Sequence, residues 1–298
     1  TVLRTPPERF DGVVDYDFKE NWVDDLQGYE GIRIHYLDEG PATAHCFLCL
    51  HGEPSWSFLY RKMFKVFLKD GYRCVCPDLI GFGKSDKIKE DEAYTTDFHR
   101  DMLIRFITRL DLTNVTLVCQ DWGGLLGLTL PLALPNLVSR AIVMNTTFAI
   151  GSVPSEGFMF WKSLCESQHD LDVGNLFNKT CANLTEAETR AYEAPFPSAE
   201  YKAGVRRFPQ LVPLSRSDPF AKLSRGAVKW WKQFRGPVFV ALGTRDIVFG
   251  EDVMTFVQNV FPVHSDIYKV DEGHFVQEKG DEIAVAALKF FKQSRSRL

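Results

Sequence analysis

A chain of 298 residues is about twice the length of a typical domain, which suits one large α/β domain carrying an insertion. Hydrophobic content of 45%, charged content of 25% and a formal net charge of -4 fit an ordinary globular protein and leave no basic excess for nucleic acid or an anionic membrane. Seven cysteines is an odd count, and Cys46, Cys49, Cys74, Cys76 and Cys119 lie inside apolar runs, as buried free thiols do, so a reducing, cytoplasmic setting is expected.

Residues 1–10 mix charge with proline and lack an apolar core, so no signal peptide is expected. Strand-like runs follow at 32–37, 46–50 and 73–77, with a helical pattern at 58–70. Cys46-x-x-Cys49 has no second Cys/His pair at ligand spacing, and no metal is expected. A helix at 95–110 precedes a strand at 115–119, a helix at 122–134 follows it, and the next strand is expected at 141–144. The stretch 115–135 is long and apolar, but Gln120, Asp121 and two prolines argue against a membrane span. Most runs are short and continuous rather than alternating, as in strands buried on both faces of a mostly parallel sheet. Their alternation with helices predicts a doubly wound α/β fold.

After Thr146 this rhythm breaks. From Phe148 to Ser217 only helix-sized pieces occur, punctuated by Pro154, Gly157, Pro195, Pro197, Pro209 and Pro213, with a capping box at Thr185 and Glu188. An insertion at the carboxyl ends of a parallel sheet covers the place where ligands bind. Residues 148–217 are therefore read as a helical cap, between core segments 1–147 and 218–298. Strands at 238–242 and 266–270 and a helix at 284–293 complete the core.

The stretch 114–130 carries the chemistry. A β-branched run ends at Asp121, and two glycines then open a helical pattern, which puts Asp121 on a sharp strand-to-helix turn. Such a turn demands small residues two positions either side, supplied by Cys119 and Gly123. This is nucleophile-elbow spacing with aspartate in the nucleophile's seat. Aspartate's ordinary pKa, near ~4, leaves it ionised at neutral pH, so it can attack a saturated carbon bearing a leaving group without a base removing its proton first.

The covalent ester so formed needs a water activator. His274 follows the last expected strand in the turn Asp271-Glu272-Gly273-His274-Phe275, from which it can reach back to Asp121. A carboxylate should orient its other nitrogen. Asp246 follows the strand 238–242; Asp252 reads as a helix-start residue, and Asn145 carries no charge. The turn His51-Gly52-Glu53-Pro54 aims backbone amides at the elbow, so the N–H groups of Glu53 and Trp122 are expected to form an oxyanion hole. The segment from Asp78 to Ser85 lacks the spacing of a phosphate loop or a second elbow and reads as a structural turn in which Asp78 bonds backbone amides. An indole N–H donates without accepting, so paired indoles can hold a departing halide. Trp122 adjoins the nucleophile, and Trp161 is the sole tryptophan of the expected cap.

With Asp121-Trp122, His51-Gly52-Glu53-Pro54, Asp78-x-x-Gly81-x-Gly83-x-Ser85, Asp246 and Gly273-His274-Phe275 in this order, nearly the whole chain resembles the haloalkane dehalogenases of the α/β-hydrolase fold. It looks closest to the branch that places its acid after the seventh strand and takes its second halide tryptophan from the cap, here Asp246 and Trp161. The resemblance implies hydrolysis of a haloalkane to an alcohol and a halide through an alkyl-Asp121 ester, with haloalkane, water and halide as the only partners and no cofactor. It also implies a pocket lined by Leu125, Phe148, Phe158, Phe160, Val212, Ile247 and Val248. A monomer is expected. Epoxide hydrolases share the aspartate and histidine but use cap tyrosines, of which only Tyr192 and Tyr201 are present. A catalytically silent ligand receptor on the same scaffold is the rival from a different class.

Overall fold

The computed structural model describes residues 1–295. Eight strands form the central sheet: β1 (Glu20–Val23), β2 (Ile34–Glu39), β3 (Cys46–Leu50), β4 (Arg73–Pro77), β5 (Val115–Gln120), β6 (Val138–Met144), β7 (Val238–Gly243) and β8 (His264–Val270). Their spatial order is β8-β7-β6-β5-β3-β4-β2-β1. The six strands from β8 to β4 run parallel, and β2 pairs antiparallel with β4 and β1. Every residue of β3, β5 and β7 is buried, which explains why these segments read as unbroken apolar runs.

Helices α1 (Arg61–Lys69), α2 (Thr96–Arg109), α3 (Trp122–Gly127), α8 (Pro219–Trp231), α9 (Glu251–Gln258) and α10 (Gly280–Arg295) accompany the sheet. Between β6 and α8 the chain forms only helices: α4 (Glu156–Ser167), α5 (Val173–Thr180), α6 (Glu186–Glu193) and α7 (Ala203–Leu211), with a short 3-10 turn before α7. Thr185 and Glu188 make both capping-box bonds at the start of α6. The buried Arg61 guanidinium reaches Glu188 on α6 and Glu278 beyond β8, at 2.8 Å each, tying this helical segment to the sheet's flank.

Several elements depart from the sequence reading. The helix expected over 122–134 ends at Gly127 and resumes as a 3-10 turn at Leu130–Leu132. Pro131 has no N–H for the carbonyl of Gly127, and its ring crowds that carbonyl. The strand expected over 32–37 runs instead from Ile34 to Glu39, because Asp38 and Glu39 pair with Val75 and Cys74 of β4. Strand β1 and helix α8 have no counterpart among the expected elements, and α9 is anticipated only by Asp252 as a helix-start residue, which lies in its first turn. Among the described residues no helix is long and apolar enough to cross a membrane.

Candidate active site

Strands β3 and β5 are sheet neighbours although β4 lies between them in sequence, so the strand order reverses there. The loops leaving their carboxyl ends flank a crevice, the usual ligand position of such sheets. Asp121 stands at the end of β5 with φ 51° and ψ -128°, a conformation that costs a non-glycine residue and must be held from outside. Its N–H donates to the Asn145 carbonyl at 3.0 Å, and its carbonyl accepts from Thr146 Oγ1 at 2.8 Å. The turn also demands close approach: a Cβ at Gly123 would lie 1.9 Å from the Leu50 carbonyl oxygen, and one at Gly52 would lie 2.3 Å from Asp121 Oδ2.

The two oxygens of Asp121 have different partners. Oδ2 accepts the backbone N–H of Glu53 at 2.9 Å, while Oδ1 lies 3.2 Å from His274 Nε2. The Trp122 amide is the first of helix α3 and has no carbonyl to bond within the helix. His274 Nδ1 lies 2.8 Å from Asp246 Oδ2. Burial opposes charge on His274, but Asp246 and Asp121 on either side outweigh it and raise the imidazole well above its usual range. Burial likewise pushes the Asp246 carboxyl up. The His274 charge and hydrogen bonds from His274, Asn145 and the Val248 amide prevail and hold it below the ordinary value. Arg245 does not compete for Asp246, since it pairs with Asp271. Asp252 lies in the first turn of α9.

Asn145, set aside in the sequence because it carries no charge, turns out to join the parts. Its Nδ2 donates to Asp246 Oδ2 at 2.9 Å, its Oδ1 accepts from Gly243 N at 2.8 Å, and its carbonyl takes the Asp121 amide. Gln120 donates to the His274 carbonyl at 3.0 Å and so fixes that loop. A polar residue ending an apolar strand was the only sequence signal for either.

A cavity of about 630 Å³ opens over Asp121. Leu125, Phe148 and Phe158 are buried in its wall, Val212 and Val248 are half-buried, and Phe160 and Ile247 stand at the rim, 63% and 66% exposed. Trp122 is braced edge-on by Phe208, ring centres 4.8 Å apart, a contact with no signal in the spacing. Trp161 also lines the cavity, but its indole N–H donates to Glu53 Oε2 at 3.2 Å. The Glu53 side chain is thus part of the site, although the sequence pointed only to its amide. Burial first, and the neighbouring Asp121 second, push its carboxyl well above the usual carboxylate range.

The fold and the elbow define the class, and the comparisons agree. The family profile described as "alpha/beta hydrolase fold" matches residues 46–281. A haloalkane dehalogenase of Psychrobacter cryohalolentis is 38% identical over 97% of this chain and 97% of its own length, and one of Mycolicibacterium paratuberculosis is 35% identical over 95% and 96%. A solved haloalkane dehalogenase of Paraglaciecola agarilytica, reported as tetrameric, superimposes with a TM-score of 0.95 at 44% identity over 97% of this chain and 98% of that one. The chain belongs to the haloalkane dehalogenases, hydrolases of the carbon–halogen bond.

Proposed function

We propose that this enzyme converts a haloalkane into a primary alcohol and a halide through an alkyl ester on Asp121. The observation that carries the reading is the division of labour at that carboxylate: one oxygen is held by the Glu53 amide while the other faces His274 beneath an apolar cavity. In the first stage Asp121 Oδ1 attacks the halogen-bearing carbon in line, and the carbon–halogen electrons leave with the halide, stabilised by the indoles of Trp122 and Trp161. In the second, His274 Nε2 takes a proton from water and the hydroxide adds to the Asp121 carboxyl carbon. Charge then gathers on Oδ2, against the Glu53 and Trp122 amides. Collapse breaks the carboxyl carbon's bond to the alkyl oxygen, and the imidazolium returns the proton to the alcohol.

Alkylation itself prepares the base. Esterified Asp121 carries no charge, so one of the two anions holding the proton on His274 disappears as the second stage begins. The apolar walls keep bulk water away and strengthen the indole donors. We assign 148–217 as the cap over this site and 1–147 with 218–298 as the core; the helices between β6 and α8 support that division. Seven unpaired, buried thiols support a cytoplasmic enzyme. We retain a monomer as the working state, against which the tetrameric Paraglaciecola relative stands; light scattering at assay concentration decides between them.

The test is incubation with a 1-bromoalkane. Bromide release is expected, and epoxide turnover without it would favour the rival chemistry. His274→Gln should complete the first stage only, leaving a protein heavier by one alkyl group in intact mass; an unmodified mass after exposure would remove His274 from its role.

A further inference from the structure

The side chain of Glu53 lies in the cavity wall between the nucleophile and helix α4. Its Oε2 receives one hydrogen bond, from the Trp161 indole at 3.2 Å. Its Oε1 is enclosed and meets no partner among the described residues. The titratable groups around it are Asp121 on the elbow, His274 beyond β8 and Cys165 on α4. An ionised carboxylate offers about four acceptor sites. One long bond from an uncharged indole does not repay the loss of water around such an ion, and Asp121 repels it further. A neutral carboxylic acid fits the enclosure, since its carbonyl oxygen accepts the indole N–H and its hydroxyl has only one proton to place.

We propose that Glu53 is a neutral carboxylic acid that keeps the Trp161 indole N–H occupied in the empty site and yields it to the departing halide. Resting on the dehalogenation reading above, this makes Glu53 a positioning residue that acts through Trp161. A neutral carbonyl at 3.2 Å is a modest acceptor, whereas a halide carries full charge and makes the stronger, charge-assisted bond. The indole therefore changes partners readily when the carbon–halogen bond breaks. Before that moment its orientation is fixed, so no ordering of a free side chain is required at the transition state. An ionised Glu53 would do the opposite, holding the indole firmly and repelling the halide.

Infrared difference spectroscopy of the whole enzyme, with and without bromide, tests the exchange. Tryptophan fluorescence quenching, run in parallel, reports whether bromide binds. The expected spectrum contains a carboxylic acid C=O band that is missing from Glu53→Gln and moves to higher frequency when bromide binds, because the bond from Trp161 is given up. Trp161→Phe should show the band already at the higher frequency, with no bromide-dependent shift. A wild-type spectrum lacking the band, or a band unmoved while quenching reports bound bromide, would overturn the proposal. Absence of quenching in the wild type at any bromide concentration would instead overturn the halide-site reading on which it rests. Should Glu53→Gln fail to fold, the wild-type and Trp161→Phe spectra still decide the matter.

Discussion

Two histidine–carboxylate pairs in this molecule are built to the same dimension, and under the proposed mechanism they serve different ends. His274 Nδ1 lies 2.8 Å from Asp246 Oδ2, and His35 Nδ1 lies 2.8 Å from Asp78 Oδ2. The difference is at the other ring nitrogen. His274 Nε2 reaches Asp121 at 3.2 Å, beside the cavity, whereas His35 Nε2 is enclosed with no partner among the described residues. Asp78 also spends its oxygens on scaffold, accepting the amides of Ser57 at 2.7 Å and Lys84 at 2.9 Å, and a Cβ at Gly83 would lie 2.3 Å from its Oδ2. It thereby fastens the turn after β4 to β2. A buried histidine–aspartate pair is therefore no mark of catalysis; its role follows from what the second nitrogen can touch.

The sharpest way to test this contrast is to neutralise each carboxylate in turn. Asp246→Asn leaves His274 with the wrong tautomer and no support for its charge, so turnover should fall by roughly 10^4-fold, as when a triad aspartate is replaced. Halide release in steady state measures it, and a loss of only a few-fold would remove Asp246 from the relay. Asp78→Asn should register chiefly as lost stability, about 3–5 kcal/mol for a buried pair deprived of one partner, with kcat of the folded fraction within a few-fold of wild type. Its pH dependence has a definite sign. Burial pushes the Asp78 carboxyl up, but His35, His51 and the Ser57 amide outweigh it and bring it down to about 2. Its contribution is thus present above the unfolded value near ~4 and lost as pH falls through about 2, so wild type and variant should converge in denaturant midpoint only under strong acid. A gap that widened in acid would contradict the assignment.

The sequence distinguished these two aspartates for reasons that are local. Asp78 precedes two glycines of a tight turn, and Asp246 follows a buried strand 28 positions before a histidine in a glycine turn. The elbow was legible for the same reason, because its steric demand for small neighbours falls within five consecutive residues. What stayed hidden was long-range. The Trp161–Glu53 bond spans 108 positions and the Asn145–Asp246 bond 101, and nothing in the local pattern of either residue announces its partner. Strand β1 was missed because an edge strand with one buried residue in four carries neither an apolar run nor clean alternation. His35 was overlooked as the partner of Asp78 because a histidine inside a strand reads as ordinary core until the fold brings β2 beside β4.

A smaller effect sharpens the comparison further, because it concerns what only the pair proposed as catalytic would experience during turnover. In the free enzyme burial opposes protonation of His274, while the Asp246 and Asp121 carboxylates together raise it well above the usual histidine range. The proposed alkylation would cancel the Asp121 charge, and Asp121→Ala cancels it permanently. His274 should therefore titrate at lower pH in Asp121→Ala than in wild type by NMR, and single-turnover decay of the alkyl-enzyme should have its acid limb below the wild-type free-enzyme value. His35 has no such anion at its second nitrogen, so nothing at that pair changes charge during turnover. If His274 titrated identically in the two, the Asp121 charge would not be what holds its proton, and the switch from imidazolium to base would have to come from solvent entry or movement of Asp246 instead.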